Sequence, residues 1–240
     1  MTDLQTAYIL HTRPYRETSL LLELLTADKG RLTLVARGIR KHKLRRGLTI
    51  PFQKLQVGFG GRGELRNLTH VEAAGPPVAI TQLPLFCAYY VNELMLKLLA
   101  PGDECKALFC HYESVINQLA SLANGNRDDL EVCLREFEFL LLQEMGKLPE
   151  FAIVSDNNHR VEPDRHYWVT FDHGICSFKT EDSVNIQGHL LLAIARKDWH
   201  PQALAGAKKI IRFYLQRLLN DKPLHSRKMI QDYIGVMSEQ

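Results

Sequence analysis

Five short apolar or alternating runs crowd into the first 75 residues, and only one connection between them is long. That spacing limits the fold more than any other feature of the chain. The runs are residues 5–12 (QTAYILHT), 18–26 (TSLLLELLT), 31–36 (RLTLVA), 49–59 (TIPFQKLQVGF) and 64–73 (ELRNLTHVEA). RLTLVA alternates polar and apolar residues, as a half-buried strand does. Short turn signals, ADKG at 27–30 and GGRG at 60–63, join the second run to the third and the fourth to the fifth. Five strands with a single long connection after the third is the arrangement expected of an OB-type barrel, with a small open sandwich as the structural alternative.

At Pro76 and Pro77 the pattern changes period. Residues 81–100 (TQLPLFCAYYVNELMLKLLA), 104–124 and 128–145 read as helices. The last opens on acids that suit a helix N-terminus and stops at Gly146. Residues 150–180 break the periodicity, with a short hairpin expected at 167–178, and helical signals return over 185–196, 202–219 and 224–234. The expected class is therefore α+β: an OB-fold nucleic-acid-binding β-barrel over residues 1–78, then an α-helical domain over 79–240 with an irregular insertion at about 150–182.

The one long connection, VARGIRKHKLRRGL at 35–48, places six Lys or Arg between Arg37 and Arg46 in a chain whose formal net charge is +3. The near-neutral total hides an asymmetry. Residues 1–80 carry 13 Lys and Arg against 6 Asp and Glu, residues 81–200 carry 10 against 18, and residues 201–240 carry 7 against 3. A basic first region beside an acidic middle points to a polyanionic partner for part of the molecule. Gly38 and Gly47 bracket the run as flexible joints, and a solvated charge run is the alternative. The surrounding surface adds Arg13, Arg16, Lys54, Arg62 and Arg66. Four aromatics lie nearby, Tyr8, Tyr15, Phe52 and Phe59, about half of which strand alternation should bury. Basic groove and stacking rings together suit sequence-tolerant binding of single strands. The DNA-binding candidates are Arg13, Arg16, Arg37, Arg40, Lys41, Lys43, Arg45, Arg46 and Arg62.

Catalytic signatures are missing: no phosphate-binding loop, nucleophile elbow, H-E-x-x-H or dinucleotide fingerprint occurs. The glycine-rich GFGGRG at 58–63 joins two strands and opens no helix, so it reads as a hairpin turn. His159, His166, His173 and Cys176 fall close together, but only His173 and Cys176 have metal-ligand spacing and they lack a second pair. No metal or other cofactor is expected. The five cysteines, at 87, 105, 110, 133 and 176, are odd in number and contain no C-x-x-C, which fits a reducing cytosol. The longest apolar-rich stretch, 83–100, contains Asn92, Glu93 and Lys97 and reads as a buried helix, not a membrane span. MTDLQTAYIL lacks the features of a secretion signal.

Several stretches in order resemble the bacterial recombination mediator family RecO: YILHTRPYRETS at 8–19, TADKG at 26–30, VARGI at 35–39, YVNEL at 90–94 and KPLHSR at 222–227. Their spacing holds from residue 5 to about 234. The resemblance implies an OB-fold domain joined to a helical domain, binding to single- and double-stranded DNA, strand annealing, and cooperation with RecR to load RecA. It also implies docking on the acidic C-terminal tail of the single-strand binding protein, and a cytoplasmic, nucleoid-associated location. Many members carry a four-cysteine zinc module. This sequence departs there, with Ser155, Asn158 and Gly174 in the corresponding region and only Cys176 remaining. The insertion is therefore expected to be zinc-free and held by packing around Tyr167, Trp168 and Phe178. For the tail, the C-terminal helix suggests Lys208 and Arg212, flanked by Ile210, Ile211 and Phe213, with Arg135 as a further cation. Arg135 as an internal neutraliser of Glu136 and Glu138 is the competing reading. The functional expectation is a non-enzymatic DNA-repair mediator. The alternative is a metal-dependent nuclease or other nucleic-acid enzyme using the acidic, His-rich insertion, and a pure interaction scaffold is a third possibility.

Overall fold

The computed structural model describes residues 4–61, 65–122 and 126–238. The chain divides into two compact units, Met1–Gly125 with Leu224–Gln240, and Asn126–Pro223.

In the first unit, β1 (Gln5–Tyr15), β2 (Ser19–Thr26), β3 (Gly30–Ala36), β4 (Lys54–Gly60) and β5 (Leu65–Ala73) close into a barrel in the order β1-β2-β3-β5-β4. Strand β1 pairs antiparallel with both β2 and β4, and β3 runs parallel to β5. This is the OB-like barrel that the strand spacing predicts. Alternate residues fill its interior: Ala7 and Ile9, Leu22 and Leu24, Leu34 and Ala36, Leu55 and Val57. The fourth strand starts at Lys54, five residues later than expected. Residues 49–53 instead bend, with Phe52 at φ 72°, and bury Thr49, Phe52 and Gln53. Between β3 and β4 the connector folds as a 3₁₀ turn, Ile39–Lys41, and a short helix α1, Lys43–Gly47.

The outer face of β1 and β2 is buried too, through Tyr8, Leu10, Leu21 and Leu25. That explains why the leucine run at 20–25 fails to alternate. Helices α2 (Gln82–Leu98) and α3 (Lys106–Ser121) pack there. Tyr8 stacks at a tilt on Phe109 and Tyr112, with ring centroids 5.5 and 5.1 Å away. A bulge at Leu10 leaves that residue out of the β1–β2 pairing, and the Asn92 side chain donates to its carbonyl at 2.7 Å. Asn92 in turn accepts from the Tyr112 hydroxyl at 2.7 Å, so a buried amide is satisfied on both sides. Gly30, at φ 56°, is required by its neighbour: a Cβ there would lie 1.8 Å from the Asp103 carbonyl oxygen.

The second unit begins with α4 (Arg127–Glu144), whose first turn is capped by Asn126 accepting from the Asp129 amide at 2.7 Å. Strands β6 (His166–Thr170), β7 (Gly174–Cys176) and β8 (Val184–Gln187) form a sheet ordered β7-β6-β8, followed by α5 (Gly188–Ala195) and α6 (Pro201–Leu218). The hairpin expected at 167–178 is β6–β7. The helical signal at 185–196 includes residues 185–187, yet Val-Asn-Ile-Gln at 184–187 alternates and pairs with β6, Ile186 opposite Tyr167. The helix waits for Gly188, where a Cβ would lie 1.9 Å from the Glu162 carbonyl oxygen. Tyr167 is buried as expected, but Phe178 is 57% exposed and does not hold the insertion together.

The last helix, α7 (His225–Ser238), packs on α2 within the first unit. The Glu93 carboxylate caps it, accepting from the backbone of His225 and Ser226 at 3.0 and 2.9 Å and from the Ser226 hydroxyl at 2.5 Å. An anion at a helix N-terminus meets both unpaired amides and the helix dipole. Burial alone would raise the Glu93 carboxyl. The hydrogen bonds from Ser226, Lys97 and His225 outweigh that and hold it below the ordinary glutamate value. The compact units thus fall elsewhere than the strand-to-helix change at residue 78, because the barrel's outer face is completed by α2 and α3, and α7 closes on α2.

Candidate nucleic-acid interface

The basic connector is anchored by its apolar residues. Ile39, 4% exposed, joins the barrel core, and Leu48 packs against the same core. Just beyond, the Thr49 hydroxyl donates to the Arg46 carbonyl at 2.9 Å. Gly38 sits in the left-handed region at φ 65°, so the expected flexible joint is a fixed turn. With these positions held, Arg37, Arg40, Lys41, Lys43, Arg45 and Arg46 are all exposed. Arg40 ties the connector to the β1–β2 turn: its amide donates to Thr18 O at 3.1 Å and its guanidinium to Glu17 O at 2.9 Å. That turn carries Arg16, at φ 53°, and Arg13 lies exposed near the end of β1. Arg62, also expected here, lies outside the described residues.

Among the described residues, none of Arg13, Arg16, Arg37, Arg40, Lys41, Lys43, Arg45 and Arg46 forms an ion pair. Eight cations on one unit without carboxylate partners repel one another unless an external anion neutralises them. Two neighbours behave differently. Lys54 lies 2.5 Å from Glu113, which also accepts from the Tyr8 hydroxyl at 2.9 Å. Burial alone would raise the Glu113 carboxyl, but its bonds to Lys54 and Tyr8 hold it below its ordinary value. Lys54 therefore belongs to an internal network. The Arg66 guanidinium lies over the Phe59 ring at 5.5 Å. Of the four aromatics, Tyr8 and Phe52 are buried while Tyr15 and Phe59 are half-buried, but by packing outside the barrel and by a bend rather than by strand alternation: Tyr8 lies under α3, and Phe52 precedes β4.

Two depressions border this surface. The larger, about 620 Å³, runs between the hairpin tip at Tyr15–Ser19, the end of β3 with the residues just after it (Val35, Arg37, Gly38) and the start of β5 (Leu65, Asn67). The smaller, about 70 Å³, includes Arg37, His42, Arg45 and His70 in its wall. Arg37 borders both. Leu65 and Asn67 escaped the sequence reading, because only the parallel register of β3 on β5, Val35 opposite Asn67, brings them here.

The second basic group is arranged otherwise. Arg135, on α4, is 7% exposed, and its guanidinium pairs with the fully buried Glu138. Lys208, on α6, lies 2.7 Å from Glu131. Arg212 is exposed and has no ion-pair partner among the described residues. Ile210 and Ile211, expected to flank these cations on the surface, are core residues.

The insertion does not fit the zinc that the resemblance associates with this region. Among the described residues no three His, Cys, Asp or Glu side chains converge. The Ser155 hydroxyl accepts from the Ile175 amide at 3.0 Å, and the Asp156 carboxylate accepts from the Ser177 amide and hydroxyl at 2.9 and 2.7 Å. Cys176 is buried. Of the four corresponding positions, Ser155, Asn158, Gly174 and Cys176, only Cys176 carries a side chain suited to a closed tetrahedral zinc site. No helix among the described residues is long and apolar enough to cross a membrane.

Residues 1–77 match the family described as "Recombination protein O N terminal", and residues 84–228 match "Recombination protein O C terminal". The chain is similar over nearly its whole length to proteins named DNA repair protein RecO. It is 38% identical to that of Hahella chejuensis, covering 97% of this chain and 96% of the relative. Identity is 35% with the Alteromonas mediterranea protein, over 93% of this chain and 94% of the relative. For the Chromobacterium violaceum protein it is 39%, over 95% and 94%.

Proposed function

Since this chain belongs to the RecO family of DNA repair proteins, we propose that it is a recombination mediator that acts by binding, with no covalent step of its own. It binds single- and double-stranded DNA, anneals complementary strands and, with RecR, helps load the RecA recombinase. The observation that carries this reading is the set of eight exposed cations on the barrel and its connector, each without an ion-pair partner among the described residues. Phosphates of either strand can neutralise them, releasing condensed counterions. Two strands held on one such surface have their mutual repulsion screened, which is the physical requirement for annealing. A cytoplasmic, nucleoid-associated location follows from a DNA target.

A second contact belongs to the same reading. Arg212, Lys208 and Arg135 are offered to the acidic C-terminal tail of the single-strand binding protein. Arg212 is ready to receive a carboxylate, whereas Lys208 and Arg135 must exchange Glu131 and Glu138 for one. The test is annealing of complementary strands, bare and covered by single-strand binding protein, with and without this chain. Acceleration of both is expected. Absence of DNA binding at moderate salt overturns the reading, and divalent-dependent cleavage of the strands would favour the nuclease instead.

A further inference from the structure

The larger groove has more in it than positive charge. Its wall at one end is Tyr15, whose ring is half-buried and carries the Arg16 guanidinium 5.3 Å from its centroid. Val35 and Leu65 give the groove apolar surface, and Arg37 adds a cation beside them. The Asn67 side-chain amide also lines it and makes no hydrogen bond to another described residue. At about 620 Å³ the groove has room for a nucleotide-sized group, and its walls mix apolar and polar side chains. Among the described residues one carboxylate, Glu17, lies at the groove, but it is exposed, and its carbonyl is the part committed to Arg40.

An aromatic ring, apolar surface, an amide without a hydrogen-bond partner among the described residues and flanking cations are the complement of a nucleotide whose base is unstacked. We propose that this groove receives one unpaired nucleobase of single-stranded DNA, stacked on Tyr15, with its edge at Asn67 and its adjoining phosphates on Arg16 and Arg37. This rests on the DNA-binding reading given above and adds to it a means of telling an unpaired strand from a duplex. A base within a duplex is already stacked and paired, and must be flipped out at a cost before it can enter. Stacking tolerates any base, since each has a π-face, and a carboxamide that both donates and accepts can meet any base edge. The base must leave the groove before it can pair, so the annealed product has no hold on this site.

The experiment compares oligothymidylate with an abasic strand of the same length and backbone charge. It is run on the full chain as wild type, Tyr15→Ala, Tyr15→Phe and Asn67→Ala, with a duplex of equal length in parallel. Tyr15→Ala is expected to weaken binding to oligothymidylate roughly tenfold and to leave the abasic strand and the duplex within about twofold. Tyr15→Phe keeps the ring and is expected to bind as wild type, and Asn67→Ala to lose about threefold on oligothymidylate alone. Equal losses on the abasic strand, or no loss on oligothymidylate in Tyr15→Ala, would overturn the subsite while leaving the basic surface intact. A wild type that binds none of the three DNAs would overturn the DNA reading, and the subsite with it.

Discussion

The two basic surfaces of this chain use the same residue types to opposite ends. On the barrel, the cations of the connector stand in solvent with no acid answering them among the described residues. In the second unit, Arg135 and Lys208 are each paired with a glutamate, and one of those glutamates is wholly buried. The difference teaches that the count of Lys and Arg is a poor guide to an interface. What matters is whether the chain has already neutralised them. A paired cation holds its own fold together and must give up that partner before it can hold another molecule. An unpaired one is available at no such cost.

The comparison breaks most visibly if the connector is neutralised. Six phosphate contacts give a slope of about −4 for log affinity against log salt on single strands, so wild type should lose roughly 250-fold between about 50 and 200 mM salt. Arg40→Ala, Lys41→Ala, Arg45→Ala and Arg46→Ala combined should flatten the slope by about 2 to 3 units, independently of DNA sequence and with little change in stability. A salt titration showing an unchanged slope would return the run to an ordinary solvated surface.

The converse change is Arg135→Ala. Removing one partner of a buried pair leaves Glu138 with an uncompensated charge, a loss of about 3 kcal/mol in unfolding free energy, while DNA affinity should stay within about twofold. Denaturant unfolding reads the first and the salt titration the second. A variant as stable as wild type would place Arg135 with the free cations.

A smaller effect is expected at the Glu93 cap of α7. Glu93→Gln should cost about 1 kcal/mol near neutral pH. Because the folded carboxyl lies below its ordinary value, that contribution is present above the unfolded pKa of about 4.3 and disappears as pH falls through the lower folded value. Stability curves of wild type and variant should therefore converge in acid. Curves that stay parallel down to pH 3 would remove the carboxylate's charge from the account.

The smallest effect on stability sharpens the contrast from the other side. Lys208→Ala with Arg212→Ala removes one half-buried ion pair and one cation without an ion-pair partner among the described residues, worth at most about 1 kcal/mol together. If the pair serves the tail of the single-strand binding protein, peptide affinity should fall and become less salt-sensitive while DNA binding is kept. Joint loss of peptide and DNA would assign the surface to DNA.

Much of this arrangement is legible in the sequence. The barrel strands announce themselves because alternation survives in RLTLVA and because turns at 27–30 are cheap to recognise. The six connector cations could be placed outside because the sequence gives them no apolar reason to be inside. What stayed hidden is long-range. Asn67 and Leu65 reach the groove only through the parallel pairing of β3 and β5, and no local pattern encodes a parallel register. The pairing of Lys208 with Glu131 spans 77 residues. The helical reading of residues 185–187 fails because a four-residue strand is too short for its period to compete with the helix that follows it. Ile210 and Ile211 were misplaced because two adjacent apolar residues on a helix look alike whether they face core or groove.

The capping of α7 by Glu93 has a consequence for how the protein is made. The acid is synthesised early and the helix it caps follows only after the 98 residues of Asn126–Pro223 have been added. At roughly 5–20 residues per second, the barrel and its first two helices wait about 5–20 s on the ribosome before α7 arrives. During that interval the face of α2 that takes α7, with Phe86 among its residues, is uncovered. The nascent first unit is then a surface that a chaperone would recognise, and truncated chains ending before Leu224 would keep it exposed for good.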